Sequence, residues 1–383
     1  MPVPDPVNNH RPTTARLDAD LLLASGRWEE ALDLYDSLLA SAGNDPRQRA
    51  ELLRGRAEAL CRLFRGHDAI APATEAAELF DALVSPADAA WARYWLSGAH
   101  VLEDNPAESR AILLDLLVAE RAGLEVAPDF RFRILVQLGN TEAWDGQTER
   151  ALAYMEEARS LLGGMSLRQE AAFLAGLALQ YRHVGDLERS IRVGQESLDR
   201  YRATDAVHEQ AAVENNVGIT FIELGNTERA EEHLLRAREL AERHGDGRLR
   251  SEIIESEARL ALARGDVAGT IERAGAALAA AGSGGSYLAA VGAHRTLARL
   301  AMRREDRDEA EARFEAAAAL LREHGAGSLL RDLLAEWADM RSNAGDAEGA
   351  AVLYAAALGR GAGRRVAEPA GGHGPASTSR LDS

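Results

Sequence analysis

Two adjacent asparagines, Asn215 and Asn216, are the residues of this sequence best suited to holding a peptide backbone. An Asn amide can donate and accept hydrogen bonds together, as a peptide group does. Paired Asn is also costly in helix propensity. We predict that this pair, together with Ile219, contacts an extended peptide. The alternative is that both amides cap or bridge neighbouring helices.

Two other stretches offer side chains that could complete such a site. Arg133 and Arg182 could each pair with a carboxylate of a partner, although solvated surface or an internal ion pair is the simpler interpretation for any single Arg. Gln137 and Asn140 lie on the same stretch as Arg133. The candidate peptide-binding residues are therefore Arg133, Gln137, Asn140, Arg182, Asn215, Asn216 and Ile219.

No stretch of the sequence completes a catalytic or metal-binding motif. His208 begins a match to the zinc motif HExxH, but Ala212 stands where the second His should be. The Gly-rich run 282–285 follows an Ala-rich helix and not a strand, so we interpret it as a linker and not as a phosphate cradle. Cys61 lacks an activating neighbour in the sequence and is predicted to be an inert packing thiol. All 44 basic residues are Arg, which excludes Schiff-base lysine chemistry. We expect no enzyme activity, no cofactor and no metal.

The elements that would position these residues repeat about every 40 residues. Gly225-Asn226 is followed by Gly265-Asp266, Glu305-Asp306 and Gly345-Asp346, and a small residue precedes each pair by seven positions. A fixed period of this length predicts a helical-repeat solenoid. Gly can end one helix in the left-handed conformation, and Asp or Asn can cap the next. No sustained period-2 run predicts a strand.

We predict an all-α, right-handed solenoid of about nine helix–turn–helix hairpins over residues 15–358. Four prolines make residues 1–14 a flexible lead, and residues 359–383 form a Gly/Pro/Ser-rich tail that we expect to be disordered. The register of the third hairpin is defined only to within one residue. The ninth hairpin ends without a capping helix, so weak self-association through this end is expected.

The hairpin pattern resembles the tetratricopeptide repeat. The sixth unit carries that family's small residue (Gly218), aromatic residue (Phe221), turn glycine (Gly225) and second small residue (Ala230). A period near 40, longer than the family's usual period of about 34, is similar to the arrays of kinesin light chain and of bacterial signal-responsive regulators. The resemblance implies a groove, lined by the first helix of each hairpin, that binds peptides or protein segments. The run 214–218 resembles the Asn-bearing helices through which related arrays hold extended peptides.

Composition restricts the partner and the compartment. A net charge of −17 argues against a duplex nucleic-acid partner, which needs a basic footprint. No run has the length of a membrane span, the N-terminal stretch has no signal-peptide pattern, and a single cysteine suits a reducing compartment. We expect a cytoplasmic, non-enzymatic scaffold or adaptor that binds a protein or peptide segment. The alternative is a ligand- or peptide-responsive sensor module in bacterial signalling or transcriptional regulation.

Overall fold

The computed structural model describes residues 14–358, except for the side chain of Ser328. Within this range it contains eighteen α-helices and no strand, which confirms the predicted all-α fold of nine consecutive hairpins. We call the first helix of each hairpin its A helix and the second its B helix. In chain order the helices are α1 (Thr14–Ala24), α2 (Trp28–Ser41), α3 (Pro46–Arg62), α4 (Gly66–Ala82), α5 (Pro86–Leu102), α6 (Pro106–Arg121), α7 (Phe130–Trp144), α8 (Thr148–Arg159), α9 (Leu167–His183), α10 (Leu187–Arg202), α11 (Val207–Glu223), α12 (Thr227–His244), α13 (Gly247–Ala263), α14 (Val267–Gly282), α15 (Tyr287–Arg303), α16 (Arg307–Glu323), α17 (Gly327–Asn343) and α18 (Ala347–Ala357).

The predicted lead and tail, residues 1–14 and 359–383, lie outside the described residues apart from Thr14, which begins α1. The sequence predicts the two helices of the third hairpin over residues 87–102 and about 107–122, and α5 and α6 fall within one residue of these bounds. The sequence pattern predicts a helix over residues 148–162 in the fourth hairpin, but α8 ends at Arg159. The chain leaves the helix at Ser160, whose hydroxyl donates to the carbonyl of Glu157 at 2.7 Å. No helix in the described range has the length and apolarity needed to cross a bilayer.

The turns inside the hairpins have the predicted chemistry. Gly225 takes a φ of 82°, where a side chain would be strained, and the side chain of Asn226 accepts a hydrogen bond of 3.1 Å from the main-chain N–H of Arg229. Such a cap contributes about 1 kcal/mol. Two units later, Glu305 takes a φ of 60° without being glycine, and Asp306 caps α16 in the same way. The left-handed turn residue is the more constant half of the signal. Every described hairpin has one, whereas a side-chain cap begins the B helix only from the fifth hairpin onward.

Close packing of the two helices within a hairpin uses the predicted small residues. A Cβ atom on Gly218 of α11 would lie 2.9 Å from Cδ2 of Leu234 on α12, and Ala230 is fully buried. Hydrophobic clusters follow one another along the chain, from the cluster around Tyr35 in the first hairpin to the cluster around Phe314 in the eighth. The apolar core is distributed along the array, as expected for a solenoid.

The A helices lie on the inner side of the curved array. In the second and third hairpins α3 contacts α5, and from the fifth hairpin to the eighth α9, α11, α13 and α15 contact one another in succession. Within residues 14–358 no B helix makes a comparable contact with the next B helix. Because the more closely spaced helices occupy the shorter arc, the A helices line the concave side, which we call the inner face.

One contact departs from the expectation that each hairpin is buried only by its neighbours. On α17, in the ninth hairpin, Arg331 donates a hydrogen bond of 3.1 Å from Nη2 to the main-chain carbonyl of Trp144, at the end of α7 in the fourth. Its Nη1 also lies 3.7 Å from Oδ1 of Asp104, in the turn of the third hairpin. The array therefore curves far enough for its C-terminal end to meet its middle.

Candidate functional site

The A helices of hairpins seven to nine carry arginines that are already paired with carboxylates. Within α13, Nε of Arg259 donates to Oε1 of Glu255 at 2.7 Å. On α15, Nε of Arg299 and Nε of Arg295 donate to the two carboxylate oxygens of Glu336 on α17, at 2.6 and 3.1 Å. These bonds join consecutive A helices, and charge-assisted pairs of this kind are among the stronger hydrogen bonds. Two carboxylates therefore hold these three guanidinium groups in fixed positions.

Arg182, at the C-terminal end of α9, is a candidate whose guanidinium group is left with an unmet hydrogen-bond donor. Its Nη1 nitrogen is buried and has no hydrogen-bond partner. Burial lowers the pKa of Arg182 from its ordinary value, Glu223 opposes this shift, and the positive charge of Arg259 adds to it. A buried cationic nitrogen without an acceptor is unfavourable in the free protein. A carboxylate of a bound ligand would supply the missing hydrogen-bond acceptor.

The candidates on α11 face different surroundings. Asn215 is 6% exposed, and its buried Oδ1 accepts no hydrogen bond. Asn216 is half-buried and borders a recess of only about 10 Å³ against the fifth hairpin, a volume too small for a ligand. Ile219 is buried. Of the two predicted amides, Asn215 is thus the one with a buried acceptor that the protein leaves unpartnered.

The candidates on α7 are mostly committed to internal contacts. Nε of Arg133 donates to Oδ2 of Asp129 at 2.6 Å, and its guanidinium lies 5.6 Å from the ring centre of Trp91, a cation–π distance. Nε2 of Gln137 lies 3.4 Å from the hydroxyl oxygen of Ser97, at the long limit of a hydrogen bond. These contacts position the first turns of α7 against the third hairpin.

A cavity of about 990 Å³ lies where the ninth hairpin meets the third and fourth. Of the seven candidates, only the exposed Asn140 lines it. Buried Oε1 of Gln180 has no hydrogen-bond partner, so this wall too has an unused acceptor. The polar and aromatic residues that line the cavity are Asp104, Asn140, Trp144, Asp145, Thr148, Gln180, His183, Arg331 and Asp332.

Sequence reasoning missed most of this cavity. Trp144, His183 and Arg331 come from three hairpins and meet only because the array curves back on itself. No local spacing records that curvature, which results from small rotations added from one repeat to the next. A distinct signal existed only for Asn140, as a polar residue beside the small position of its A helix.

Two further recesses on the B-helix side follow from the architecture itself. One, of about 330 Å³, includes Glu231, Leu235 and Arg273 in its lining, and the other, of about 240 Å³, has residues shifted by one 40-residue unit in the same places. Since the B helices are spaced more widely than the A helices, such recesses recur with the repeat. They mark the geometry of a solenoid and not a particular site.

The thiol of Cys61 fits the predicted packing role. Burial raises the pKa of Cys61 to about 12, and the nearby Glu58 adds to the shift. Its Sγ lies 3.4 Å from the carbonyl oxygen of Trp95. A thiol in this environment stays protonated at neutral pH and is a poor nucleophile.

Comparisons with known proteins agree with this geometry. Residues 169–243 and residues 19–50 each match a model of the tetratricopeptide repeat. Comparison with curated proteins finds no significant match.

Several solved structures share the fold over almost their whole length. The apo form of RapI has a TM-score of 0.62 at 11% identity, covering 91% of this chain and 96% of that one. A Rap protein complexed with competence and sporulation factor has a TM-score of 0.60 at 14% identity, with 90% and 96% covered. The apo quorum sensor NprR from B. thuringiensis has a TM-score of 0.60 at 14% identity, with 90% and 97% covered. At such identities the likeness shows the fold alone. The chain therefore contains two segments that match the tetratricopeptide repeat, within an array of nine repeated helical hairpins.

Proposed function

We propose that this chain is a non-enzymatic adaptor that binds a peptide or protein segment on its inner face. The observation that carries the proposal is a pair of unpartnered buried groups on adjacent A helices, the donor Nη1 of Arg182 and the acceptor Oδ1 of Asn215. An unsatisfied buried polar group costs about 1–3 kcal/mol. A segment that offers a carboxylate and a main-chain N–H would satisfy both.

The other five candidates take secondary places in this proposal. Asn140 extends the binding face toward the large cavity, and Ile219 and Asn216 support the position of Asn215 on α11. Arg133 and Gln137 hold α7 in place through their internal contacts. Unlike the glutamate-paired arginines of hairpins seven to nine, Arg182 has an unpartnered nitrogen that can attract an acidic group.

The test is a selection of displayed peptides on the full chain, followed by calorimetry with the selected peptides. Binders should share an acidic side chain or depend on a free C-terminal carboxylate. Arg182→Ala should weaken them at least roughly 30-fold, because truncating one side of a buried charge pair costs about 2 kcal/mol or more. Asn215→Ala should weaken them as well. Arg322→Ala, which removes an exposed arginine on α16, is the matched control. Binders unaffected by Arg182→Ala and Asn215→Ala would contradict the proposal.

A peptide-responsive sensor is the second candidate function, favoured by the contact between the ninth and fourth hairpins. A ligand can shift a conformational equilibrium only if it binds the two conformations differently, and the cavity beneath Arg331 offers a place where that could happen. One fold neighbour is a quorum sensor, and another is complexed with competence and sporulation factor. Solution scattering separates the candidates: a selected peptide that changes the radius of gyration supports the sensor, and unchanged dimensions support the adaptor.

The absence of enzyme activity is part of the proposal. Aspartyl phosphate phosphatase F from Bacillus subtilis shares the fold with a TM-score of 0.54 at 10% identity, a likeness that carries no activity over to this chain. Purified protein should therefore leave acetyl phosphate intact. Hydrolysis that co-purifies with the chain and is lost in a variant of one cavity residue, such as His183→Ala, would contradict this part.

The compartment and the remaining partners belong to the same proposal. The single cysteine favours the cytoplasm, and the net charge of −17 disfavours duplex nucleic acid. Weak self-association through the C-terminal hairpin is supported by exposed Val352 and Leu358 on and after α18. Sedimentation that shows a strict monomer at high concentration would count against self-association.

A further inference from the structure

Three side chains that can bind metal ions converge where the sixth and seventh hairpins meet. His208 lies in the first turn of α11, His244 is the last residue of α12, and Asp246 precedes α13 as its N-cap. Each offers one ligand atom, and the three atoms lie within 4.8 Å of one another. The sequence motif that starts at His208 lacks a second His at Ala212, but the fold supplies one from the partner helix of the same hairpin.

The carboxylate of Asp246 is oriented for this role. Its Oδ1 accepts a hydrogen bond of 3.0 Å from the main-chain N–H of Leu249, which caps α13. Its Oδ2 points to the other side and lies 2.7 Å from Nδ1 of His208. A carboxylate fixed through one oxygen presents the other in a defined direction, as hydrogen-bonded metal ligands commonly do.

The two imidazoles approach the same point from different helices. The ring centres of His208 and His244 are 5.7 Å apart, and the ring planes are inclined by 49°, so the rings do not stack. The acidic residue that follows His208 is not available as a ligand, because Glu209 forms an ion pair with Arg168. His208 is 45% exposed at its side chain, which leaves room for water on the solvent side.

We propose that His208, His244 and Asp246 bind one divalent transition-metal ion of the zinc class, with water in the remaining positions. Imidazole nitrogen and carboxylate oxygen are ligands that suit Zn²⁺. With bonds of about 2.0–2.2 Å, two ligand atoms of a tetrahedral ion lie roughly 3.4 Å apart. When the ion binds, the 2.7 Å distance between Nδ1 of His208 and Oδ2 of Asp246 therefore has to lengthen slightly, and the longer distances have to shorten. Small rotations of these partly exposed side chains can make both changes.

Such an ion would connect the start of α11 with the junction of α12 and α13. It would tie the A and B helices of the sixth hairpin to the N-terminus of the seventh. Asn215, the proposed acceptor for a peptide, lies about two turns further along the same α11 helix. The metal site is independent of peptide binding in its ligands and can be tested without any peptide.

The test titrates untagged full-length chain, stripped with a chelator, with zinc chloride at neutral pH in a calorimeter. The expected result is one ion per chain, and Co²⁺ should give visible absorption bands when it takes the same site. His208→Ala and His244→Ala should each lower the affinity at least about tenfold, since losing even an outer-shell partner costs about 10–100-fold. Asp246→Asn should also lower the affinity. Because an Asn side chain still caps a helix, this variant separates the ligand role from the cap.

His324→Ala is the matched control. His324 follows α16 at the position equivalent to His244 two units earlier, but its ring stacks on Tyr287 and its Nδ1 lies 2.9 Å from the carbonyl oxygen of Leu320. Its loss should leave the affinity unchanged. The proposal is overturned if the wild-type chain shows no saturable binding. It is also overturned if a variant with both His208→Ala and His244→Ala is still folded by circular dichroism and binds zinc as before.

Discussion

The guanidinium of Arg331 donates a hydrogen bond of 3.1 Å to the main-chain carbonyl of Trp144, a residue 187 positions earlier in the chain. The indole Nε1 of Trp144 in turn donates to Oδ1 of Asp104 at 2.9 Å, and Arg331 lies 3.7 Å from the same oxygen. These three residues join hairpins three, four and nine. In an open solenoid stability is a sum of nearest-neighbour terms, and this contact adds a term between distant hairpins.

Arg331→Ala should therefore open the array without unfolding its helices. A hydrogen bond from a charged group contributes about 1.5–3 kcal/mol when buried. Because the side chain of Arg331 is 34% exposed, we expect about 1 kcal/mol or less. Hydrogen exchange in α17 should speed up and the radius of gyration should grow, with the far-ultraviolet dichroism unchanged. Arg322→Ala on α16 provides the comparison, and equal dimensions for both variants would show that the contact does not hold the array closed.

The turns and the close helix contacts were predictable because each depends on residues that are near one another in the sequence. The Gly225-Asn226 turn and the small residue Gly218 recur at a fixed spacing, and the structure uses both as expected. The end of α8 was predicted too late in the sequence, because the turn at Ser160 contains no Gly or Pro that would indicate the end of a helix. The meeting of Arg331 with Trp144 was missed because the curvature of a solenoid is the sum of many small rotations.

The sequence predicted which residues contribute to the candidate site, but not which way their side chains point. The sequence placed Asn215 and Asn216 together, and the helix turns them about 100° apart. Asn215 consequently carries the unpartnered oxygen, and Asn216 borders a closed recess between hairpins. Likewise, His208 had a recognisable motif context, but the sequence spacing concealed that His244 would lie beside it.

Replacing either of two mid-helix glycines with alanine should change the free energy of unfolding, in opposite directions at the two positions. A Cβ on Gly218 would lie 2.9 and 3.0 Å from Cδ2 and Cγ of Leu234, so Gly218→Ala forces the hairpin apart or moves Leu234. We expect a loss of about 1–3 kcal/mol from overpacking, reduced by the better helix propensity of Ala. Gly275 in α14 is exposed and has no atom within 4 Å of its would-be Cβ. Gly275→Ala should gain about 0.5–1 kcal/mol. Urea unfolding measures both, and shifts of the same sign would contradict the packing argument.

A buried acidic residue between hairpins five and six should be intolerant of single substitution. Glu214 is 3% exposed; its Oε2 lies 2.6 Å from Nδ1 of His233, and its Oε1 accepts from Arg202 at 3.2 Å. Glu214→Leu leaves the buried imidazole of His233 without its partner. Breaking a buried pair from one side costs about 3–5 kcal/mol, which the thermal and urea midpoints would report.

A double substitution of Glu214 and His233 provides the control for this prediction. Replacing both Glu214 and His233 with leucine removes the unpartnered group as well, so the double variant should be more stable than Glu214→Leu alone. Residues in direct contact show coupling of about 0.5–3 kcal/mol in such cycles. Additive losses in the double variant would mean that the two side chains do not depend on each other.

His294 on α15 should make the protein less stable in acid. Burial lowers the pKa of His294 from its ordinary value, the charge of Arg313 adds to the shift, and Nδ1 is buried without a partner. Because the unfolded chain has a histidine pKa of about 6.5, it binds more protons than the folded chain below that pH. The contribution of neutral His294 is therefore present above about pH 6.5 and is lost as the pH falls through that value toward the folded-state pKa.

Titration of His294 by NMR, assigned with His294→Gln, checks this directly. The pKa should lie below that of an unfolded reference peptide, and Arg313→Ala should raise it by removing the nearest cation. In urea unfolding at several pH values, His294→Gln should lose less stability than the wild type on acidification. A pKa of His294 at or above the reference value would show that the imidazole is solvated and that its burial between the eighth hairpin's helices does not penalise the charged form.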